Sequence, residues 1–151
     1  MDIRPDDLSH PSTRALLALH VAAMRAGSPP GASFALDLSG LLDPAVTVWT
    51  AWDGDVAIGV GALKTLTANQ AEVKSMRTHP DWLRRGVAQQ MLLFILAEAE
   101  RRGVQVLSLE TGCGAAFDPA VALYERHGFV RGDAFAGYVP NGFSQFFHRT
   151  I

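Results

Sequence analysis

The segment from Arg84 to Ala88 combines residue types that suit the binding of an anion, because it joins a predicted strand to a long predicted helix. The first turn of a helix leaves several backbone N–H groups unpaired and carries about half a positive charge. Gly86 and Ala88 are small enough to let an anion approach that backbone, and Arg84 and Arg85 add charged donors. These features predict a phosphate-binding turn, although an ordinary strand-to-helix turn with two solvated arginines fits the same residues equally well.

The glycine-rich signatures that the chain lacks narrow the class of phosphate ligand. There is no G-x-x-x-x-G-K-[ST] motif, which argues against a nucleoside triphosphatase. No G-x-G-x-x-G motif follows a predicted strand, which argues against a dinucleotide site. A ligand that carries a pyrophosphate but needs no Walker lysine remains, and coenzyme A is such a ligand. A nucleotide-binding module stays open as an alternative.

Length and composition predict one globular domain over residues 1–151, and the order of its predicted elements, given below, makes it an α/β domain. Of these residues 48% are hydrophobic, and the 13 Lys and Arg nearly balance the 15 Asp and Glu, so the chain has a net charge of -2. High apolar content with low net charge excludes intrinsic disorder, and the balance of charges gives no reason to expect a nucleic-acid partner. The single cysteine, Cys113, excludes an internal disulfide and a structural zinc site, and the histidines show no metal-ligand spacing, so no metal is expected.

The single cysteine predicts a reduced, cytoplasmic protein, and the first 25 residues do not resemble a signal peptide. Asp2, Asp6 and Asp7 lie where a secretory leader would be positively charged. The longest apolar run, Met91–Ala97, is far shorter than the roughly 20 residues that span a bilayer, so no membrane association is expected.

Hydrophobic periodicity and turn residues predict a mixture of helices and strands. Apolar residues recur every four positions from Val87 to Ala99 and predict the long helix, which starts at Gly86 and which Gly103 ends. The other predicted helices are Pro11–Arg25, capped by Ser9 or Ser12, Phe34–Leu42, and a helix capped by Asp118 that runs to His127. The predicted strands are Ile3–Pro5, Val46–Trp52, Val56–Thr67, Ala71–Thr78, Val104–Glu110, Phe129–Arg131 and Gly142–Arg149. This order predicts a mixed sheet flanked by helices.

Two motifs in order along the chain resemble those of the GNAT family of N-acetyltransferases. Residues Glu72–Pro80 followed by Arg84–Ala88 resemble motif A, and Leu107–Gly112 followed by Ala122–Phe129 resembles the next strand and motif B. The family signature is Q/R-x-x-G-x-G/A; Gly86 and Ala88 match it, whereas Leu83 occupies its first position. The resemblance implies a largely antiparallel mixed sheet of about six or seven strands with about four helices. It also implies a splay between the strands at Glu72–Thr78 and Val104–Glu110.

The resemblance also implies the positions that contact acetyl-CoA. Met76, Arg77 and Thr78 would offer backbone groups to the pantetheine arm. The pyrophosphate would be bound by the loop formed by Arg84, Arg85, Gly86, Val87, Ala88 and Gln89. Tyr124 matches the tyrosine of motif B that lies near the thioester sulfur and protonates the leaving thiolate, although a core aromatic is the alternative. Asp118 lies near a position that contacts the coenzyme, but a helix cap explains it sufficiently.

The activity implied is direct transfer of an acetyl group to a primary amine through a tetrahedral intermediate, with acetyl-CoA as the cosubstrate. The backbone N–H of Met76 or Arg77 would stabilise the oxyanion. The candidate bases that deprotonate the amine are Glu110 and Glu72, with His79 third. Each carboxylate has an alternative role: Glu110 could pair with Lys74 or an arginine, and Glu72 could be a solvated strand residue.

The acceptor is expected to be a small molecule, with an amine or amino acid favoured over a polycation because the chain is nearly neutral. Its binding wall would come from Pro11–Leu42 and Phe135–Phe143. A homodimer stays open. The alternative function is a non-catalytic acyl-CoA sensor, which needs the phosphate-binding turn but neither Tyr124 nor a base.

Overall fold

The structure is a computed structural model that describes residues 1–151. The strands are β1 (Asp2–Pro5), β2 (Val46–Asp53), β3 (Val56–Thr65), β4 (Gln70–Thr78), β5 (Val106–Thr111), β6 (Val130–Gly132) and β7 (Gln145–Thr150). The helices are α1 (Pro11–Ala26), α2 (Leu38–Leu41), α3 (Val87–Arg101) and α4 (Asp118–Arg126), with a 3-10 turn at Pro80–Trp82. No helix is both long enough and apolar enough to cross a membrane.

The seven strands form one mixed sheet in the order β1-β2-β3-β4-β5-β7-β6. All neighbouring strands are antiparallel except β4 and β5, which are parallel. Two apolar clusters cover the two faces of the sheet. On one face α3 packs through Met91 and Ile95, and on the other α1 packs through Leu16 and Leu17. The α/β fold with a mixed, largely antiparallel sheet is therefore confirmed.

The pairing of β4 with β5 ends after three residues. Gln70, Ala71 and Glu72 pair with Val106, Leu107 and Ser108, and β5 then continues alongside β7 as far as Thr111. The rest of β4 pairs only with β3. The predicted splay between these two strands is confirmed, and it leaves the outer edge of β4 unpaired from Val73 to Thr78.

A β-bulge lies in β4 where the two strands separate. Val60 pairs with Arg77 and Ala62 with Lys74, so that Ser75 and Met76 together oppose Gly61. Ser75 has a φ of 57°, in the left-handed region that a non-glycine residue adopts at a cost of about 1–3 kcal/mol. Because a bulge bends its strand and increases the local twist, it turns the end of β4 away from its former direction.

Helix boundaries differ from the sequence predictions where side chains bind the backbone. The second helix starts at Leu38 instead of Phe34, because the Asp37 side chain accepts the Gly40 N–H at its first turn. His10, and neither Ser9 nor Ser12, caps α1 by accepting the Ser12 N–H.

The last helix and the last strand also begin elsewhere than predicted. Asp118 is the first residue of α4 and makes no capping hydrogen bond, so its prediction as a cap is wrong; Phe117 holds the cap position. The last strand starts at Gln145 because the Asn141 side chain accepts the N–H groups of Phe143 and Ser144 and holds them in a turn.

Close approach of α3 to the sheet depends on a glycine in β3. A Cβ atom at Gly61 would lie 2.8 Å from the Ile95 and Met91 side chains and 2.9 Å from the Met76 sulfur. We predict that Gly61→Ala lowers the free energy of unfolding by about 1–3 kcal/mol, because the packed side chains of Ile95, Met91 and Met76 must shift. Chemical denaturation measures this, with Thr65→Ala at the exposed end of the same strand as the control. Equal stability of the two variants would contradict this account of helix packing.

Candidate active site

The separation of β4 from β5 opens a cavity of about 250 Å³. One wall is the stretch of β4 from Glu72 to Arg77, and the opposite wall is the end of β5 from Glu110 to Gly112. Helix α1 contributes His20, and α4 contributes Tyr124. The structure thus brings together the three catalytic candidates Tyr124, Glu110 and Glu72 around one space.

The predicted phosphate-binding turn has a backbone that is free to bind an anion. None of the backbone N–H groups from Arg84 to Gln89 has a hydrogen-bond acceptor within the protein. Gly86 caps α3 with a φ of 80° and without any side-chain hydrogen bond, and Arg84 has a φ of 61°. Left-handed residues within such a turn direct successive N–H groups towards one point. The geometry is therefore that of an anion-binding helix start.

Side chains around this turn differ in their roles. Val87 is buried in the core and anchors the helix start, whereas Arg84, Arg85 and Gln89 are exposed and Ala88 is half-buried. The Arg85 guanidinium lies 4.8 Å from the centre of the Trp82 ring, which holds it beside the turn. The departure from the family signature at Leu83 has little consequence for the backbone, since that side chain is 58% exposed.

Beyond the bulge, Met76 and Arg77 point to opposite faces of β4, as successive residues of a strand do. Met76 lies against α3, close to Ile95 and Met91. Arg77 lies against α1, where its Nε donates a 3.0 Å hydrogen bond to His20 Nδ1. Thr78, the last residue of β4, pairs with Gly59. This interaction between Arg77 and His20 was not predicted from the sequence, because the two residues are 57 positions apart and no local pattern links them.

Tyr124 is 7% exposed and lines the cavity. Its ring packs edge-on against Phe129, with centroids 5.7 Å apart. Burial raises the pKa of the Tyr124 hydroxyl to about 12, and the nearby Arg77 charge opposes this rise. The hydroxyl therefore keeps its proton at neutral pH and is available as a proton donor, while the ring also serves the core.

Glu110, the last residue but one of β5, lies half-buried in the cavity wall. Burial raises the pKa of its carboxyl, and Ser144 and Lys74 partly oppose the rise. No Lys, Arg or His nitrogen lies within 4.0 Å of it. The expected alternative of a Lys74 ion pair is thus not realised. A carboxylate with a raised pKa and no cation partner is better suited than an ordinary one to take up a proton.

Glu72 is 3% exposed, so its interpretation as a solvated strand residue is wrong. Its Oε2 accepts hydrogen bonds from Lys74 Nζ at 3.2 Å and from the Tyr138 hydroxyl at 2.6 Å. Lys74 Nζ also donates to the Tyr138 hydroxyl at 2.9 Å. Tyr138 closes this triad from a loop 66 residues further along the chain. The sequence predicted Tyr138 in the acceptor wall but not its hydrogen bond to Glu72.

Three further residues named from the sequence lie outside the cavity lining. Asp118 is exposed in the first turn of α4. His79 accepts the N–H of Asp81 through Nδ1 and so caps the 3-10 turn. Cys113 is exposed in the loop after β5. No group of three or more His, Cys, Asp or Glu side chains in the structure is arranged to hold a metal ion.

The separation of β4 from β5 thus leaves a cavity between two strands, beside a helix start whose backbone N–H groups are unpaired. Enzymes that transfer acyl groups are the class that this fold and site define. Residues 13–129 match the Acetyltransferase (GNAT) family, and the chain therefore belongs to this family.

Two relatives that match nearly the whole chain are also described as N-acetyltransferases. The uncharacterised N-acetyltransferase YedL of Escherichia coli is 46% identical over 149 residues, which cover 99% of this chain and 94% of YedL. The uncharacterised N-acetyltransferase YsnE of Bacillus subtilis is 44% identical over 151 residues, which cover 100% of both chains.

Solved structures agree with this fold. A Klebsiella pneumoniae protein, provisionally described as an acyl-CoA N-acyltransferase, superposes with a TM-score of 0.82 at 27% identity, covering 99% of this chain and 96% of the other. The PaiA N-acetyltransferase of Thermoplasma acidophilum, solved with coenzyme A, superposes over 100% of both chains with a TM-score of 0.74 at 15% identity. At that identity the likeness shows the fold alone.

The buried His20 makes stability depend on pH. Burial, followed by the Arg77 charge, lowers the pKa of His20 from 6.5 to about 4. Between these values the unfolded chain takes up a proton that the native state does not. Protonation of His20 therefore leaves the free energy of unfolding unchanged above about pH 6.5 and lowers it by about 3 kcal/mol as the pH falls to 4.

We predict that His20→Asn, which keeps an acceptor for Arg77 but does not titrate, loses this part of the pH dependence. Urea unfolding of both proteins between pH 4 and 7 measures the difference. If the free energies of unfolding of the two proteins changed with pH in the same way, His20 would not titrate as the structure indicates.

Proposed function

We propose that the protein transfers an acetyl group from acetyl-CoA directly to the primary amine of a small acceptor. The observation that carries this proposal is the cavity between β4 and β5, which joins the unpaired edge of β4 to Tyr124 and Glu110. The net reaction turns an ammonium group and a thioester into an amide, a free thiol and one released proton. The residues around the cavity can bind both substrates and move these protons.

Backbone groups at the start of α3 and along the edge of β4 would form the coenzyme A site. The unpaired N–H groups from Arg84 to Gln89 would bind the pyrophosphate, with the start of the 15-residue α3 adding its dipole. The edge of β4 at Met76, Arg77 and Thr78 would hydrogen bond to the pantetheine arm as a further strand does. Asp118 is exposed and lies outside the cavity lining. Its contact with the coenzyme stays a prediction from the family resemblance.

Two side chains and one backbone group would serve the reacting atoms. The backbone N–H of Met76 or Arg77 would donate to the carbonyl oxygen, where one such donor contributes about 3 kcal/mol. Glu110 would take the proton from the amine as the C–N bond forms. Tyr124 would donate its proton to the sulfur as the C–S bond breaks.

The surroundings of the two carboxylates favour Glu110 over Glu72 as the base. Glu72 already accepts hydrogen bonds from Lys74 and Tyr138, so its Oε2 is occupied by donors of the protein. Glu110 has no such ion pair, and its pKa is raised. Glu72 is therefore proposed to position the acceptor wall and the Tyr138 loop.

Thiol release from acetyl-CoA in the presence of a panel of primary amines tests this function. Amine-dependent release supports it. Tight coenzyme binding without release for any amine would instead support the acyl-CoA sensor.

Two matched glycines at the ends of α3 test the phosphate-binding turn. Gly86 and Gly103 have φ values of 80° and 78°, and a Cβ atom at either would meet nothing within 4 Å. We predict that Gly86→Asp weakens acetyl-CoA binding by at least about a hundredfold, because it places a negative charge beside the pyrophosphate. Gly103→Asp carries the same change at the far end of the helix and should bind normally in calorimetry. Equal affinity of the two variants would remove this turn from the coenzyme site.

Substitution of the buried tyrosine tests the proton donor. We predict that Tyr124→Phe lowers kcat by roughly a hundredfold, within the usual range for loss of a general acid. The Kd for acetyl-CoA should stay close to that of the wild type, because the ring that packs on Phe129 is kept. Steady-state thiol release and calorimetry measure the two quantities. An unchanged kcat would show that Tyr124 is only a core residue.

A further inference from the structure

Four charged side chains line the cavity, and two of them neutralise each other. Glu72 and Lys74 form an ion pair at 3.2 Å, with side chains 3% and 9% exposed. The other two are Arg77 and Glu110, and neither has an oppositely charged group of the protein within 4.0 Å. Buried or half-buried charges are usually paired, so these two charges need partners from outside the chain.

The surroundings of Arg77 leave its guanidinium uncompensated. Its hydrogen-bond partner within the protein is His20, whose Nδ1 accepts and therefore carries no proton. Burial also lowers the pKa of His20 to about 4, so this partner is neutral at physiological pH. The terminal nitrogens of Arg77 donate to no group of the protein, and the residue lines the cavity. A guanidinium held this way presents a planar pair of donors that matches a carboxylate.

The coenzyme phosphates are not the expected partner of this guanidinium. They are assigned to the start of α3, on the face where Met76 lies against Ile95. Arg77 points to the other face of β4, towards α1. The pantetheine arm beside β4 carries no charge. The anion that Arg77 can bind must therefore belong to the acceptor.

We propose that Arg77 binds a carboxylate of the acceptor while Glu110 faces its amine, so that the substrate is a small amino carboxylate. This inference rests on the proposed acetyl transfer and names the substrate class of that same site. The opposite charges of such a molecule would each meet the unmatched charge of opposite sign in the cavity wall. A cavity of about 250 Å³, bounded by Phe34, Phe117 and Phe143, suits a small molecule.

Paired acceptors test the carboxylate requirement with the wild-type enzyme. Each pair consists of a free amino acid and its carboxamide, which has the same amine and side chain, and each amino acid is also compared with its decarboxylated amine. We expect kcat/KM for the free acid to exceed that for both analogues by at least about tenfold, because a site built for a polar group rejects a substrate that lacks it. Preferred transfer to carboxamides, to peptide N-termini or to simple amines would overturn the inference while leaving acetyl transfer in place.

Variants of Arg77 assign the preference to its side chain. Arg77→Met should bring the ratio of kcat/KM for acid and carboxamide close to one, and Arg77→Lys should restore part of it through its charge. The ratio is independent of any change in acetyl-CoA binding, since both acceptors use the same donor. An acid-to-carboxamide ratio in Arg77→Met equal to that of the wild type would overturn the assignment. If Arg77→Met does not fold, the ratio measured with Arg77→Lys and with the wild type decides.

A failure of the proposed acetyl transfer would give a different experimental result from a failure of the carboxylate requirement. An enzyme that binds coenzyme A but releases no thiol with any acid, carboxamide or amine would overturn the acetyl transfer and this inference together. Transfer to amines irrespective of a carboxylate would overturn this inference alone.

Discussion

The early end of the pairing between β4 and β5 is the constraint on which the site depends. Three residue pairs hold the two parallel strands together, and beyond Glu72 and Ser108 they separate. The bulge at Ser75 accompanies this separation with a left-handed backbone and a buried hydroxyl that has no hydrogen-bond partner. Both features cost stability and are tolerated where function requires them. The core on either face of the sheet holds the strands in this open arrangement.

Local electrostatics would let this nearly neutral chain bind the anionic and zwitterionic ligands that we propose. The proposed phosphate-binding turn would use the unpaired backbone N–H groups at the start of α3, so it would need no basic surface. Inside the cavity, Glu72 and Lys74 neutralise each other, whereas Arg77 and Glu110 have no ion-pair partner within the protein. The distribution of paired and unpaired charged groups is therefore a better indication of the ligand class than the net charge is.

Much of the fold could be predicted because it is encoded locally. The four-residue spacing of apolar side chains in α3 and the Asp-Gly turn between β2 and β3 mark those elements directly. The contacts that define the acceptor side could not be predicted, because they join distant segments. Tyr138 reaches Glu72 across 66 positions and Arg77 reaches His20 across 57. The bulge breaks the side-chain alternation of β4, so only the structure shows which of its residues share a face. Only the structure also shows that the Tyr138 loop covers Glu72 and that Glu110 is left without an ion pair.

A crystal structure with bound coenzyme A tests the central claim most directly. We expect the pyrophosphate to accept hydrogen bonds from backbone N–H groups between Arg84 and Gln89. We also expect the pantetheine arm to run along the edge of β4 that β5 leaves unpaired, with the sulfur near Tyr124. Coenzyme bound away from this edge, or a β4 that closes onto β5 in the complex, would contradict this claim.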